Sequence, residues 1–178
     1  MTSDTQLAVS LVAIRQLKKS DLPSLEWDGQ YTHYRRVYQD AYDRAVSGRS
    51  ILWVADLPER GIIGQVFIQF ICDRPELADG RDRAYLYAFR IMPEFRSQGL
   101  GSRMLQVVEN DLLRRGFRAL TLNVARENQR ARRLYEKAGF RVVAPEPGVW
   151  SYPDDQGVWR TVEEPAWRME KILGRALE

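Results

Sequence analysis

The segment from Tyr85 to Arg115 restricts the possible folds more than any other part of this chain. Ala84 to Met92 is a run of aromatic and aliphatic residues stopped by Pro93, and it reads as a strand. Arg96-Ser-Gln-Gly-Leu-Gly-Ser-Arg103 follows and opens a helix in which Leu100, Met104, Val107, Val108 and Leu112 repeat at helical spacing. Gly116 sits where a C-terminal cap belongs. A helix entered this way presents unpaired N–H groups and a partial positive charge at the turn, where a phosphate binds well. Gly99 and Gly101 carry no Cβ and would let a pyrophosphate approach the backbone. The amides of Gln98, Gly99, Leu100, Gly101 and Ser102 are placed to wrap it, beside Ser97, with Arg96 adding charge. The turn is no Walker loop, since Ser102-Arg103 stands where Lys-Ser/Thr is needed, and no dinucleotide fingerprint, since Met104 replaces the third glycine. Taken alone, it is equally well a tight turn before an ordinary helix.

Around this segment, strands and helices alternate. Val9–Leu17 reads as a first strand, and Ser20 or Asp21 as the cap of a short helix with Pro23 in its first turn. Tyr31–Val46 reads as a helix, with Tyr31, Tyr34, Tyr38 and Tyr42 near one face, ended by Gly48. Ile51–Ala55 and Ile62–Ile71 form a hairpin through Leu57–Gly61, and Asp73–Arg83 is a loop. Arg118–Val124 is a strand, Asn128–Ala138 a helix closed by Gly139, and Phe140–Val143 the start of another strand. Pro145–Pro165 reads as a long loop or an irregular hairpin, and Trp167–Leu173 as a last strand. The pattern indicates an α/β (α+β) protein, a mixed sheet with helices on its faces, over one domain spanning residues 1–178.

Composition narrows the chemistry. The 178 residues carry 27 basic and 24 acidic side chains, a balance of +3 without a long basic run, which is the pattern of a solvated surface. Cys72 and His33 are the only residues of their kinds, so neither a disulfide framework nor a Cys/His metal site is expected. Residues 1–10 lack an apolar signal core, and no stretch approaches the roughly 20 apolar residues of a membrane span. The expectation is a cytoplasmic protein in a reducing compartment, a monomer or homodimer, with no membrane, nucleic-acid or metal partner.

The stretch that decides between the readings of the glycine turn is Glu127-Asn-Gln-Arg-Ala-Arg-Arg-Leu-Tyr-Glu-Lys-Ala-Gly-Phe140. Together with Arg96, Gly99 and Gly101, the residues Asn128, Ala131, Leu134, Tyr135, Lys137, Gly139 and Phe140 resemble the two ordered motifs of the GCN5-related N-acetyltransferase (GNAT) superfamily. The close match covers about a third of the chain. The resemblance implies a GNAT fold: a central, mostly antiparallel sheet of six to seven strands, splayed into a V and flanked by about four helices. It implies acetyl-CoA as co-substrate, its arm inserted between strands 85–92 and 118–124. It implies a bulge near Phe89, Arg90 and Ile91 that frees amides for the thioester carbonyl, an oxyanion-hole role. Asn123 and Asn128 are implied contacts of the arm, and Tyr135 lies near the sulfur. Asn128 and Tyr135 are seven residues apart, and two helical turns take about 7.2, so both share one helix face. Read from the residues alone, Asn128 is equally an N-cap and Tyr135 a core aromatic.

The implied activity is transfer of the acetyl group of acetyl-CoA to a primary amine, either a small molecule or a protein amino group, by direct attack on the thioester. The attacking amine must be neutral, so a base or a water relay is required. Many relatives place a glutamate on the strand before the turn; this chain shows Tyr85, Tyr87 and Phe89 there, and no base is named. Asp73, Glu76, Asp79, Asp82, His33, Glu163 and Glu164 are candidates, each also read as solvated surface. A phenol near pKa ~10 gives its proton to a thiolate near ~8.5 only uphill, by about 2 kcal/mol, so Tyr135 reads as a hydrogen-bond donor to the leaving sulfur. Cys72 has no histidine near it in sequence and reads as a small edge residue rather than an acyl carrier. Tyr31, His33, Tyr34, Tyr38, Trp150, Tyr152, Trp159 and Trp167, with Asp154, Asp155, Glu163 and Glu164, suggest an aromatic and acidic acceptor wall for a cationic amine. The same aromatics also read as core beneath a long loop. A non-catalytic acetyl-CoA sensor is the alternative. A nucleic-acid surface at Arg114, Arg115, Arg118, Arg126, Arg130, Arg132 and Arg133 is weaker than solvated helix faces.

Overall fold

Strands form here where β-branched and aromatic residues run between Gly, Pro and Asp turns, and helices where apolar residues recur every three or four. The computed structural model describes Asp4 and residues 8–174. In chain order the elements are β1 (Ala13–Gln16), 3-10 segments Lys19–Glu26 and Thr32–Tyr34, α1 (Arg35–Val46), β2 (Ser50–Leu57), β3 (Gly61–Gln69) and β4 (Arg83–Ile91). There follow a 3-10 turn Pro93–Phe95, α2 (Leu100–Arg114), β5 (Ala119–Ala125), α3 (Gln129–Lys137), β6 (Arg141–Glu146), β7 (Val149–Pro153), β8 (Trp159–Glu163) and β9 (Ala166–Ile172). Seven strands make one sheet in the order β1-β2-β3-β4-β5-β9-β6, and β7 and β8 make a second. Within the large sheet only β4 and β5 run parallel among the described residues. No helix among the described residues is long and apolar enough to cross a membrane.

Period-two alternation along β2 divides the core. Ile51, Trp53 and Ala55 pack with Leu100, Met104 and Leu105 of α2, while Leu52 and Val54 pack with Leu25 and with Tyr38 and Ala41 of α1. The sheet is therefore covered on both faces. This explains why β2 and β3 are buried almost throughout their lengths.

Two local expectations are corrected and a third is narrowed. The first strand is only Ala13–Gln16; residues 8–10 are helical, and Val9 and Val12 are buried by that turn, tied down by Arg103, whose Nη1 and Nη2 donate to their carbonyls at 2.9 and 3.0 Å. The short helix after it is a 3-10 segment starting at Lys19. Neither Ser20 nor Asp21 is its cap, and the Asp21 carboxylate instead accepts from the Lys18 N–H at 2.7 Å. Of the two readings of residues 145–165 the hairpin holds, and it is regular: β7 and β8 pair in antiparallel register from Val149–Glu163 to Pro153–Trp159.

What positions a site is the way β4 leaves its neighbours. β4 and β5 pair over only four residues, Arg83–Leu86 against Ala119–Leu122, and then part. At that point the register with β3 slips: Tyr87 pairs with Phe67 and Arg90 with Gln65, so Ala88 and Phe89 together face one β3 residue. This is a β-bulge. Ala88 sits at φ 49°, and its carbonyl accepts from Nε2 of Gln65, whose side chain is almost fully buried at 1% exposure. Replacing Gln65 by Leu should cost about 1–2 kcal/mol, because it strands a half-buried carbonyl at the bulge. A urea melt of Gln65→Leu against the wild type checks this; an unchanged midpoint would mean that the bulge holds itself.

Candidate active site

The splay between β4 and β5 opens into a cavity of about 840 Å³, lined among others by Phe89, Arg90, Asn123, Asn128 and Tyr135. Ladder geometry shows which backbone groups face the opening. The Met92 N–H donates to the Ile63 carbonyl at 2.8 Å, so in an alternating antiparallel pair Ile91 turns its N–H and C=O away from β3. Its carbonyl is taken by Nε of Arg96 at 2.7 Å, and its N–H is left on the open side. The same alternation turns the Arg90 N–H towards Gln65. The Arg90 side chain also leaves the turn, donating from Nη1 to the Tyr38 hydroxyl at 2.9 Å. Of the three residues expected at the bulge, Phe89 and Arg90 line the cavity, the Arg90 side chain reaching Tyr38 of α1, while Ile91 turns its backbone away from β3.

Asn128 occupies the N-cap of α3, and its Oδ1 accepts from the Ala131 N–H at 3.2 Å. Asn128 also lines the cavity, so capping does not exclude the binding reading. Asn123 follows the last β4–β5 pair on β5, and its Oδ1 is buried without a hydrogen-bond partner. A buried carbonyl oxygen of this kind wants a donor. Tyr135 is buried, with its ring 6.4 Å from Phe89 and edge-on to Phe140 at 5.7 Å. Burial pushes its phenol well above the ordinary tyrosine range, and Tyr85 adds to the rise. Tyr85 itself is pushed up to about 12, chiefly by burial.

The glycine turn is strained and largely self-supporting. Ser97 and Gly99 lie at φ 61° and 84°, and Gln98 donates from Nε2 to the Glu94 carbonyl at 3.2 Å. Gly99 needs its missing side chain for conformation, since a Cβ there would meet open space. Gly101 differs from the expectation of pyrophosphate approach. Its Cβ position points at Leu134 Cδ2, 3.2 Å away, and at Ile91 Cδ1, 3.6 Å away, so its smallness lets α2 pack against α3 and β4. Leu100 is buried and serves the core. The Arg96 guanidinium is partly desolvated and close to Arg130, which together depress its pKa below that of a free arginine. Two cations held together at a helix N-terminus make a setting that an anion relieves.

The model of the acetyltransferase (GNAT) family matches residues 12–140. The chain belongs to that family. It is 29% identical over 108 residues to the uncharacterized N-acetyltransferase YycN of Bacillus subtilis, covering 60% of this chain and 66% of that one. The chain spans less than two thirds of the length of several curated relatives it matches. Among solved structures, Ard1 from Thermoplasma volcanium superposes with a TM-score of 0.71 at 20% identity, covering 93% of this chain and 99% of that one. The ribosomal-protein-S18-alanine N-acetyltransferase from Escherichia coli superposes at 0.67 and 23% identity, covering 94% and 97%. These likenesses support the fold of a GNAT protein with a seven-stranded, mostly antiparallel sheet.

Of the aromatic and acidic residues suggested for an acceptor wall, Tyr34, Tyr38, Trp150, Tyr152, Trp159 and Glu164 line the cavity. Other expected members lie elsewhere. His33 packs in the aromatic cluster, its ring tilted 45° to Tyr34 at 4.2 Å. Trp167 lies beneath Arg126. The Asp154 carboxylate closes the β7–β8 turn by accepting from Gln156, Val158 and Arg160. Asp79 is occupied by three amides of its own loop, and Glu76 by Arg74. Sequence reasoning missed Glu146, which is buried at the cavity between Arg74 Nη2 at 2.8 Å and Arg168 Nη1 at 3.2 Å. A glutamate ending a strand carries no local signal of such a clamp. Of the arginines considered for nucleic acid, Arg115 pairs with Asp111 and Arg132 with Glu136. No group of three or more potential metal ligands occurs among the described residues.

The two raised phenols have a consequence for stability. Above pH ~10 the unfolded chain releases these protons while the folded one keeps them, so the folded state binds more and stability falls with rising pH. We expect the melting temperature to drop from about pH 10 upward, and Tyr135→Phe to blunt that slope. An identical slope in the variant would contradict the burial of this phenol.

Proposed function

We propose that this protein transfers the acetyl group of acetyl-CoA to a primary amine by direct attack on the thioester, within one acetyltransferase domain. The observation that carries the reading is the parting of β4 and β5 after Leu86 and Leu122, with Phe89 and Tyr135 both lining the opening. The residues present suit the co-substrate. Asn123 offers a buried acceptor without a partner, Asn128 retains donor capacity, and Arg96 with Arg130 forms a cationic pair beside the glycine turn. Acetyl-CoA supplies an acyl group activated as a thioester.

The chain's own residues then divide the work. The Ile91 N–H, facing away from β3, is placed to receive the negative charge that grows on a carbonyl oxygen under attack, and it needs no reorganisation to do so. Tyr135 keeps its proton throughout the neutral range, because burial disfavours the phenolate. It therefore donates a hydrogen bond to a departing thiolate and does not surrender its proton outright. The amine's proton leaves through water or a group at the acceptor wall. A single free cysteine is in keeping with a cytoplasmic setting.

Tyr135→Phe should lower kcat by roughly ten- to a hundredfold while the KM for acetyl-CoA changes little, since the lost bond matters most as charge develops on sulfur. Free coenzyme A release across an amine panel, beside a coenzyme A binding titration, tests the activity itself. Release with saturable dependence on both substrates supports transfer. Binding without release on any amine would instead make the protein a sensor of acetyl-CoA.

A further inference from the structure

The acceptor wall was expected to suit a cation, with aromatic faces and carboxylates around it. The structure fills two of those faces. The Arg90 guanidinium lies 4.4 Å over the Tyr31 ring and 5.2 Å from the centre of Tyr34, and donates to Tyr38. A ligand ammonium cannot use ring faces already covered by a guanidinium. Arg90 makes no ion pair among the described residues, so its charge is stacked and held but not neutralised.

A second cation stands on the same wall. Arg44 of α1 donates from Nη2 to the Tyr87 hydroxyl at 3.3 Å, and its Nε is buried without any partner. It too has no carboxylate within ion-pair distance among the described residues. Three carboxylates also line the cavity. Glu146 is consumed by Arg74 and Arg168, while Asp40 and Glu164 are exposed. Exposed charges are screened by water and salt, whereas half-buried ones are much less so. Arg44 and Arg90 are both half-buried, so the interior of the acceptor side is positive while its rim is negative.

We infer that the acceptor is a small amine that also bears a carboxylate, received inside the cavity by Arg90 with Arg44 as a second cation. The inference rests on the acetyl-transfer reading and names its substrate class. A carboxylate would complete the unpaired donors of both guanidiniums through charge-assisted hydrogen bonds, for which arginine's planar fork is well shaped. The two cations also disfavour an ammonium beside them, which helps to deliver the neutral amine that attack requires. The cavity, about 840 Å³, lies within the range of small-molecule sites.

Matched acceptors test this: β-alanine and γ-aminobutyrate, their neutral amides, and putrescine, assayed by coenzyme A release with wild type, Arg90→Gln and Arg44→Met. The wild type should prefer each acid over its amide by about tenfold or more in kcat/KM, the value of a charge-assisted hydrogen bond. The preference should shrink towards one in Arg90→Gln and fall partly in Arg44→Met, a ratio that is independent of each variant's overall activity. Turnover of amides or putrescine with no preference for acids would overturn the inference and leave acetyl transfer standing. So would an acid preference that both variants keep. If none of these amines is turned over, calorimetric titration of the coenzyme A complex decides: tighter binding of the acids than of the amides supports the inference, and equal or absent binding overturns it.

Discussion

The structure depends on a single hydrogen bond inside the sheet, from Gln65 Nε2 to the Ala88 carbonyl. A sheet that kept its register from Arg83 to Ile91 would continue to pair with β5 and leave no opening. One extra residue in β4, held in the left-handed region at Ala88, breaks that continuity. Its cost is met inside the core, where Gln65 is buried among apolar neighbours and satisfies the displaced carbonyl. Beyond the bulge β4 changes which residues face which side. Tyr87 and Ala88 both pack towards α1, Phe89 packs with Tyr135, and Arg90 returns to the α1 side. The proposed site is the product of that shift: a backbone opening on one side of β4 and a cationic, aromatic wall on the other.

Helices complete the site by packing rather than by contact with its centre. Gly101 brings α2 against Leu134 of α3, and α3 carries Tyr135 to the cavity. The β7–β8 hairpin lines the cavity with Trp150, Tyr152 and Trp159, and α1 lines it with Tyr38 and Arg44. The proposed acceptor wall thus comes from elements distant in sequence, while the proposed cofactor residues come from one continuous stretch.

That difference explains what was legible in the sequence. Residues 85–140 were read correctly as strand, turn, helix, strand and helix, because their signals are local: glycine turns, helical spacing and an N-cap asparagine. The sequence leaves the hairpin at 149–163 open between a loop and an irregular hairpin because Val149, Trp150, Ser151, Trp159, Arg160 and Thr161 are all exposed, so neither strand has a fully buried face to impose period-two alternation. The first strand was read four residues too long at its start because Val9 and Val12, three apart, are buried by a helical turn and look like strand residues in isolation. The packing role of Gly101 against Leu134 and Ile91 is not legible, because a sequence does not show what a missing side chain makes room for. Glu146 and the Arg90 stack were invisible for a similar reason: their meaning lies in partners 22 to 72 residues away.

In the proposed binding mode the parting of β4 and β5 receives the thioester arm while the turn at 97–102 holds the diphosphate. Amide hydrogen exchange with and without coenzyme A tests it most directly. Protection should appear in the turn and at Phe89–Ile91, with little change in β1, β2 or β6. Protection confined to other surfaces, with the turn and β4 exchanging as in the free protein, would contradict the account.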